Sequence, residues 1–152
     1  MWFEDVPIGE EMFLGIWHFT DNEVANFATL WRIGRRHGMK VEGLHICAVW
    51  NRLWIAASLQ STRIQGREGG TISPGILELR WPTPTYAGEQ LSFTSTALER
   101  VPLRSRPELG LVRRRNLALK ADGAVALSFV GQVLHSRRST SSASSADVPP
   151  AD

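Results

Sequence analysis

The longest apolar stretch of the chain, VEGLHICAVWNRLWIAASLQ from Val41 to Gln60, is apolar on nearly every side of a helical wheel and opens on Glu42, Gly43 and His45. A helix with no polar face has to be covered, so the pattern predicts a buried central helix from about Gly43 to Leu59. Upstream, Glu11 to Phe19 sets Phe13, Trp17 and Phe19 in a period-two row with Leu14 and Ile16 between them, the mark of a strand buried on at least one face. Thr20 and Glu23 then have the spacing of a capping box. Val24, Phe27 and Leu30, with Trp31 beside them, form the apolar stripe of a helix ending near Trp31.

Arg32 to Lys40 reads as a short polar connection into the central helix, and Gln60 to Gly70 as a polar surface loop. Strand patterns follow. Ile76 to Pro82 sets Leu77, Leu79 and Trp81 on one face and Glu78 and Arg80 on the other, and Leu91, Phe93 and Ser95 repeat the alternation. Leu111 to Lys120 and Val125 to His135 flank Asp122-Gly123, whose residue types tolerate the positive φ of a tight hairpin. About five strands and one long buried helix make an α+β fold, an antiparallel sheet wrapped around a central helix. No internal repeat is visible. Residues 1–138 read as one domain, and the tail STSSASSADVPPAD, 139–152, as disordered because it has almost nothing to bury.

Composition narrows the class. A chain of 152 residues with 43% hydrophobic content can build a core without staples or metal. Asn51 and Arg52 interrupt its greasiest segment, so no membrane span is expected. The N-terminus MWFEDVPIGEE is acidic and lacks a signal peptide's basic-then-apolar layout, which points to the cytoplasm. Cys47, the single cysteine, lies inside the apolar helix and reads as packing. The net charge is only +2, and the basic side is almost entirely arginine, with lysines only at Lys40 and Lys120, which is not a nucleic-acid-binding composition. Clusters at Arg35-Arg36, Arg104 with Arg106, Arg113-Arg114-Arg115 and Arg137-Arg138 read as solvated faces, or as forks for the phosphates of a small ligand.

Five segments, FEDVPIGEE, TDNEVANFATL, VEGLHICAVWNRL, ILELRWPTPTYAGEQL and GLVRRRNLALKADGAVALSFVGQVL, resemble in this order the MaoC-like dehydratase domains of the hot-dog fold. The resemblance covers Phe3 to Leu134. It implies a curved antiparallel sheet around one long central helix and a dimer joined through sheet edges, with itself or with a hot-dog paralogue. It also implies a thioester substrate on coenzyme A or an acyl carrier protein, with no separate cofactor. The hydratases of that family resemble one another in an aspartate and a histidine five positions after it, in a loop before the central helix. This chain departs from that pattern: none of Asp5, Asp21, Asp122, Asp147 and Asp152 has a histidine at that distance.

Hydration of an enoyl thioester needs a base to activate water, a proton for the α carbon and donors for an enolate-like oxygen. The donors are available at a helix start, where the N–H groups of Gly43 and Leu44 point outward; the resemblance assigns that role to the same glycine. Glu42, just before that turn, is either a dipole-stabilising residue or a general base. His45 is either a hydrogen-bonded core residue or an acid–base catalyst beside the oxyanion site. His37, in the basic connection, is a solvated loop residue or a phosphate contact. Four histidines without a zinc-like cluster give no metal site. The reading is therefore an acyl-thioester-binding protein, an enoyl-CoA hydratase or dehydratase with a nonstandard site at His45 and Glu42. The alternatives are a thioesterase that activates water at the carbonyl and a noncatalytic subunit that supports a partner.

Overall fold

The computed structural model describes residues 1–31, 39–65 and 72–138. After a short 3-10 turn at Phe3–Asp5 the elements are β1 (Glu11–His18), α1 (Asp21–Leu30), α2 (Gly43–Gln65), β2 (Ile72–Arg80), β3 (Gln90–Pro102), β4 (Leu109–Leu119) and β5 (Val125–Ser136). All strand pairs are antiparallel, and the order β1-β3-β4-β5-β2 leaves β1 and β2 at the two edges. The inner faces of β1, β3, β4 and β5 close on α2: Phe19, Val24, Ile46, Val49, Leu91, Phe93, Ala118, Leu127 and Phe129 share one core. A smaller core of Phe3, Val6, Ala97 and Val112 fastens the N-terminus to the far end of β3 and β4.

The expected hairpin forms at Asp122-Gly123. Gly123 has φ +85°, its N–H donates to the Lys120 carbonyl at 2.9 Å, and the Asp122 carboxylate accepts the Ala124 N–H at 2.9 Å. The first helix also starts as its sequence predicts, with the Thr20 hydroxyl accepting the Glu23 N–H at 3.3 Å. It is only half a capping box, because the Glu23 carboxylate turns to other partners.

Four expectations change. The register of β1 shifts between Phe13 and Gly15, so Phe13 faces outward and leaves the row it was expected to share with Trp17. A second irregularity, with Glu78 at φ +54°, breaks the expected Leu77-Leu79-Trp81 face: Leu79 packs on the core while Leu77 is exposed. The central helix runs on through Gln60–Gln65, which the sequence suggested as loop. Finally, α2 is not covered on every side by its own chain, since Leu44, Ile55 and Leu59 are exposed. Among the described residues no helix is long and apolar enough to cross a membrane. The tail at 139–152 lies outside the described residues.

The arginine clusters divide. Arg137 and Arg138 meet Glu4 and Asp5 at 3.5 and 2.8 Å, tying the last strand to the N-terminus, and Arg113 meets Glu99 at 2.6 Å across the β3–β4 ladder. These are the expected surface pairs, each contributing little by itself. Arg114 is different: strand alternation turns it inward, onto the face shared with Val112, Asn116 and Ala118, and it is only 8% exposed. The Arg35-Arg36 cluster lies outside the described residues.

Candidate functional site

Three elements converge at the start of α2. The chain leaves β1 through Phe19, whose backbone is held by the Glu89 carbonyl at 3.0 Å and the Gly88 N–H at 2.7 Å. It then enters α1, where Glu23 and Phe27 lie one turn apart on a side facing α2. The entry to α2 is fixed independently, by the Val41 N–H on the Thr85 carbonyl at 2.8 Å and the Ala87 N–H on the Met39 carbonyl at 2.8 Å. These backbone anchors bring His45 of α2 against Glu23 of α1, although the two are 22 residues apart.

His45 is 5% exposed, and its Nε2 lies 3.2 Å from Glu23 Oε1. A carboxylate oxygen accepts, so the contact is made by the tautomer with its proton on Nε2. In that tautomer Nδ1 is a lone pair, and it is buried without a hydrogen-bond partner among the described residues. The Phe27 ring stacks flat on the imidazole at 4.3 Å, and Phe19 meets its edge at 5.2 Å. Glu23 itself accepts the Trp17 indole N–H on both oxygens, at 3.0 and 3.2 Å, and the Arg52 guanidinium lies 5.1 Å over the face of that indole. The Glu23 side chain is 30% exposed, so the carboxylate is the member of the pair that water reaches.

A carboxylate oriented by an indole and bonded to a buried imidazole is an acid–base pair in geometry. The contact lies at hydrogen-bond distance, with the imidazole buried and the carboxylate partly open to water. Such a pair can also be purely structural, because a buried histidine needs a partner for its N–H.

The other expected residues fall around this pair. Glu42 is half-buried at the helix start, and its carbonyl accepts the His45 and Ile46 N–H groups at 2.9 and 3.2 Å. The hydrogen bond that joins Glu42 to His45 is thus a backbone one. Gly43 and Leu44 contribute the remaining N–H groups of the first turn. Trp81 lies across Gly43: its indole N–H donates to the Gly43 carbonyl at 3.0 Å, and a Cβ on residue 43 would come within 2.5 Å of the ring. That close approach explains why a glycine stands there. Leu44 is exposed beside it. Cys47 also meets Trp81, and burial pushes its thiol above the ordinary range although that contact opposes the shift, which makes it a poor nucleophile. His37 lies outside the described residues. Among the described residues no group of three His, Cys, Asp or Glu could hold a metal ion.

No protein-family model and no curated protein sequence matches the chain. Solved structures do. A MaoC-like dehydratase from Rhodospirillum rubrum is 23% identical, with TM-score 0.74 over 91% of this chain and 99% of that one. A Mycobacterium tuberculosis protein with a double hot-dog fold matches 100% of this chain and 52% of its own at TM-score 0.61 and 16% identity. The chain has the hot-dog fold. An R-hydratase from Pseudomonas aeruginosa in its unliganded form shares that fold at 15% identity, with TM-score 0.59 over 100% of this chain and 96% of that one. The expectation of a hot-dog α+β fold, with a sheet wrapped around one long helix, is met.

Sequence reasoning selected His45 and missed its partner. The signal for Glu23 was present but already explained, because Thr20-x-x-Glu23 gives the glutamate a local capping role. Trp17 was assigned to a core row, and nothing in the sequence tied its indole N–H to a carboxylate.

Proposed function

We propose that the protein is a hot-dog acyl-thioester hydratase or dehydratase in which Glu23 and His45 take the place of the missing Asp and His pair. The observation that carries the reading is the 3.2 Å contact between a buried imidazole and a partly exposed carboxylate at the start of the central helix. In the hydration direction Glu23 takes a proton from water as the oxygen bonds to the β carbon of the enoyl thioester. The electron pair of the double bond moves to the α carbon and the thioester oxygen, where the N–H groups of Gly43 and Leu44 stabilise it. The proton held between Glu23 and His45 then goes to the α carbon, so one water is added and the pair is restored. Glu42 is the second carboxylate within reach of the same turn. The substrate carries coenzyme A or an acyl carrier protein, and no further cofactor enters the scheme.

Pairing with a second hot-dog unit, a further copy or a paralogue, fits the exposed Leu44, Ile55 and Leu59 on α2 and Ile72 and Ile76 on the β2 edge. The double hot-dog fold of the M. tuberculosis protein supports such an arrangement.

One observation favours a second reading, a noncatalytic subunit: Phe27 and Phe19 cover the imidazole and leave Nδ1 sealed. A panel of enoyl-CoA and saturated acyl-CoA substrates, read by loss of enoyl absorbance and by thiol release, separates the readings. Absorbance loss without thiol release, abolished in His45→Gln, is the expected result. Thiol release from saturated acyl-CoA would make the protein a thioesterase, and binding with neither signal would make it a supporting subunit.

A further inference from the structure

Beyond the first turns of α2, the helix from Trp50 to Leu59, β2, β4 and β5 line a cavity of about 470 Å³, which opens past the exposed Ile55, Leu59 and Ile76. Trp50, Trp54, Ile76 and Phe129 form apolar walls, with the two indoles stacked at 5.7 Å and Phe129 edge-on to Trp50 at 4.7 Å. Into this apolar space project two polar side chains that are more than nine-tenths buried, Arg114 and Asn116. The Arg114 Nε donates to the Ser95 hydroxyl at 2.9 Å, one terminal nitrogen reaches the Ser95 carbonyl at 3.4 Å, and the guanidinium lies 5.2 Å from the Trp54 ring centre. Among the described residues no carboxylate pairs with it.

An arginine does not lose its charge in a protein, and a buried charge without a counter-ion is costly. Two lining residues, Trp50 and Asn116, each bury a polar atom, Nε1 and Oδ1, that has no hydrogen-bond partner among the described residues. Gly131 keeps the space clear, because a Cβ there would press on the Asn116 amide at 3.0 Å. A guanidinium is a donor for one flat anion, and the surrounding walls accept an apolar body.

We infer that this cavity binds an organic carboxylate, with the carboxylate on Arg114 and an apolar chain along Trp54 and Ile76. The site is separate from the Glu23–His45 pair, and the inference does not rest on the hydratase reading. The carboxylate comes either as a free acid or as the far end of an acyl thioester that already carries a second acid group.

Isothermal titration calorimetry on the full chain tests this with octanoate, octan-1-ol, octanoyl-CoA and the mono-CoA thioester of octanedioic acid. Octanoate is expected to bind at least about tenfold more tightly than octan-1-ol, as a charge-assisted bond would give. Tighter binding of the octanedioyl thioester than of octanoyl-CoA would assign the carboxylate to an acyl group, and its absence would assign it to a free acid. In Arg114→Met combined with Ser95→Ala, which removes donor and acceptor together, the preference for octanoate should disappear. Should that variant fail to fold, the wild-type preference for octanoate over octan-1-ol decides by itself. Equal affinity for octanoate and octan-1-ol, no binding of either, or an unchanged preference in the double variant would overturn the inference and leave a water-filled cavity.

Discussion

The two halves of the central helix bury polar side chains in opposite ways. At its N-terminal end, His45 meets Glu23, Glu23 meets Trp17, and two phenylalanines close over the imidazole. Further along, among the described residues, Arg114 has the Ser95 hydroxyl and carbonyl and the face of Trp54 but no carboxylate, and the Trp50 indole N–H and one Asn116 oxygen have no hydrogen-bond partner. The carboxylate at the first end has its donors within the chain, although the far ring nitrogen of His45 is left without one among the described residues. A charge whose partner is missing asks for one from outside. On the proposed reading, the first end is the place to react and the second the place to bind.

Substitutions can break this contrast. The largest effect is expected from Phe19→Ala, which removes a fully buried ring from the core and the cover from His45. A loss of about 3–5 kcal/mol in urea denaturation is predicted; a loss near zero would mean that the cover is loose. Glu23→Ala comes next, because it leaves the Trp17 and His45 donors unpaired together. It should cost about 1–3 kcal/mol, most of it recovered in Glu23→Gln, whose amide oxygen still accepts. At the unpaired end the double change Arg114→Met with Ser95→Ala should leave the ligand-free protein within about 1 kcal/mol of wild type, because an isolated buried charge is removed with its acceptor. A loss as large as that of Glu23→Ala would show that Arg114 is paired after all.

The smallest effect is a pH dependence at His135. Burial lowers its pKa, the positive charges of Arg114 and the N-terminus lower it further, and the Met1 carbonyl opposes them. The unfolded chain therefore binds a proton first. The stability tied to a neutral His135 is fully present above the ordinary histidine pKa of about 6.5 and is lost as pH falls through the lowered folded value. Denaturation midpoints from about pH 7 to about pH 5 should fall less steeply in His135→Gln. Removing Arg114 should also flatten part of that slope.

Much of the fold was legible because its signals are local. The Asp122-Gly123 hairpin, the start of α1 at Thr20 and the apolar run of α2 each rest on residues a few positions apart. What was not legible depends on register or distance. One irregularity at Gly15 turns Phe13 out of its row, and another at Glu78 exposes Leu77. The triple arginine hid an alternation in which Arg113 and Arg115 face away and Arg114 faces the helix. Reading Val112, Asn116 and Ala118 as one inward face would have exposed it. Glu23 was hidden differently, because half of a capping box does form and only the tertiary approach of α2 redirects its carboxylate.

The central claim is that Glu23 supplies the base for hydration at this helix start. It is tested most directly by the rate of enoyl-CoA hydration in Glu23→Gln, measured beside Glu42→Gln, with circular dichroism confirming that both variants fold. The account predicts that Glu23→Gln slows turnover by about 10²–10⁴-fold, the usual contribution of a positioned general base, while Glu42→Gln keeps a near-normal rate. Full turnover in Glu23→Gln would contradict it.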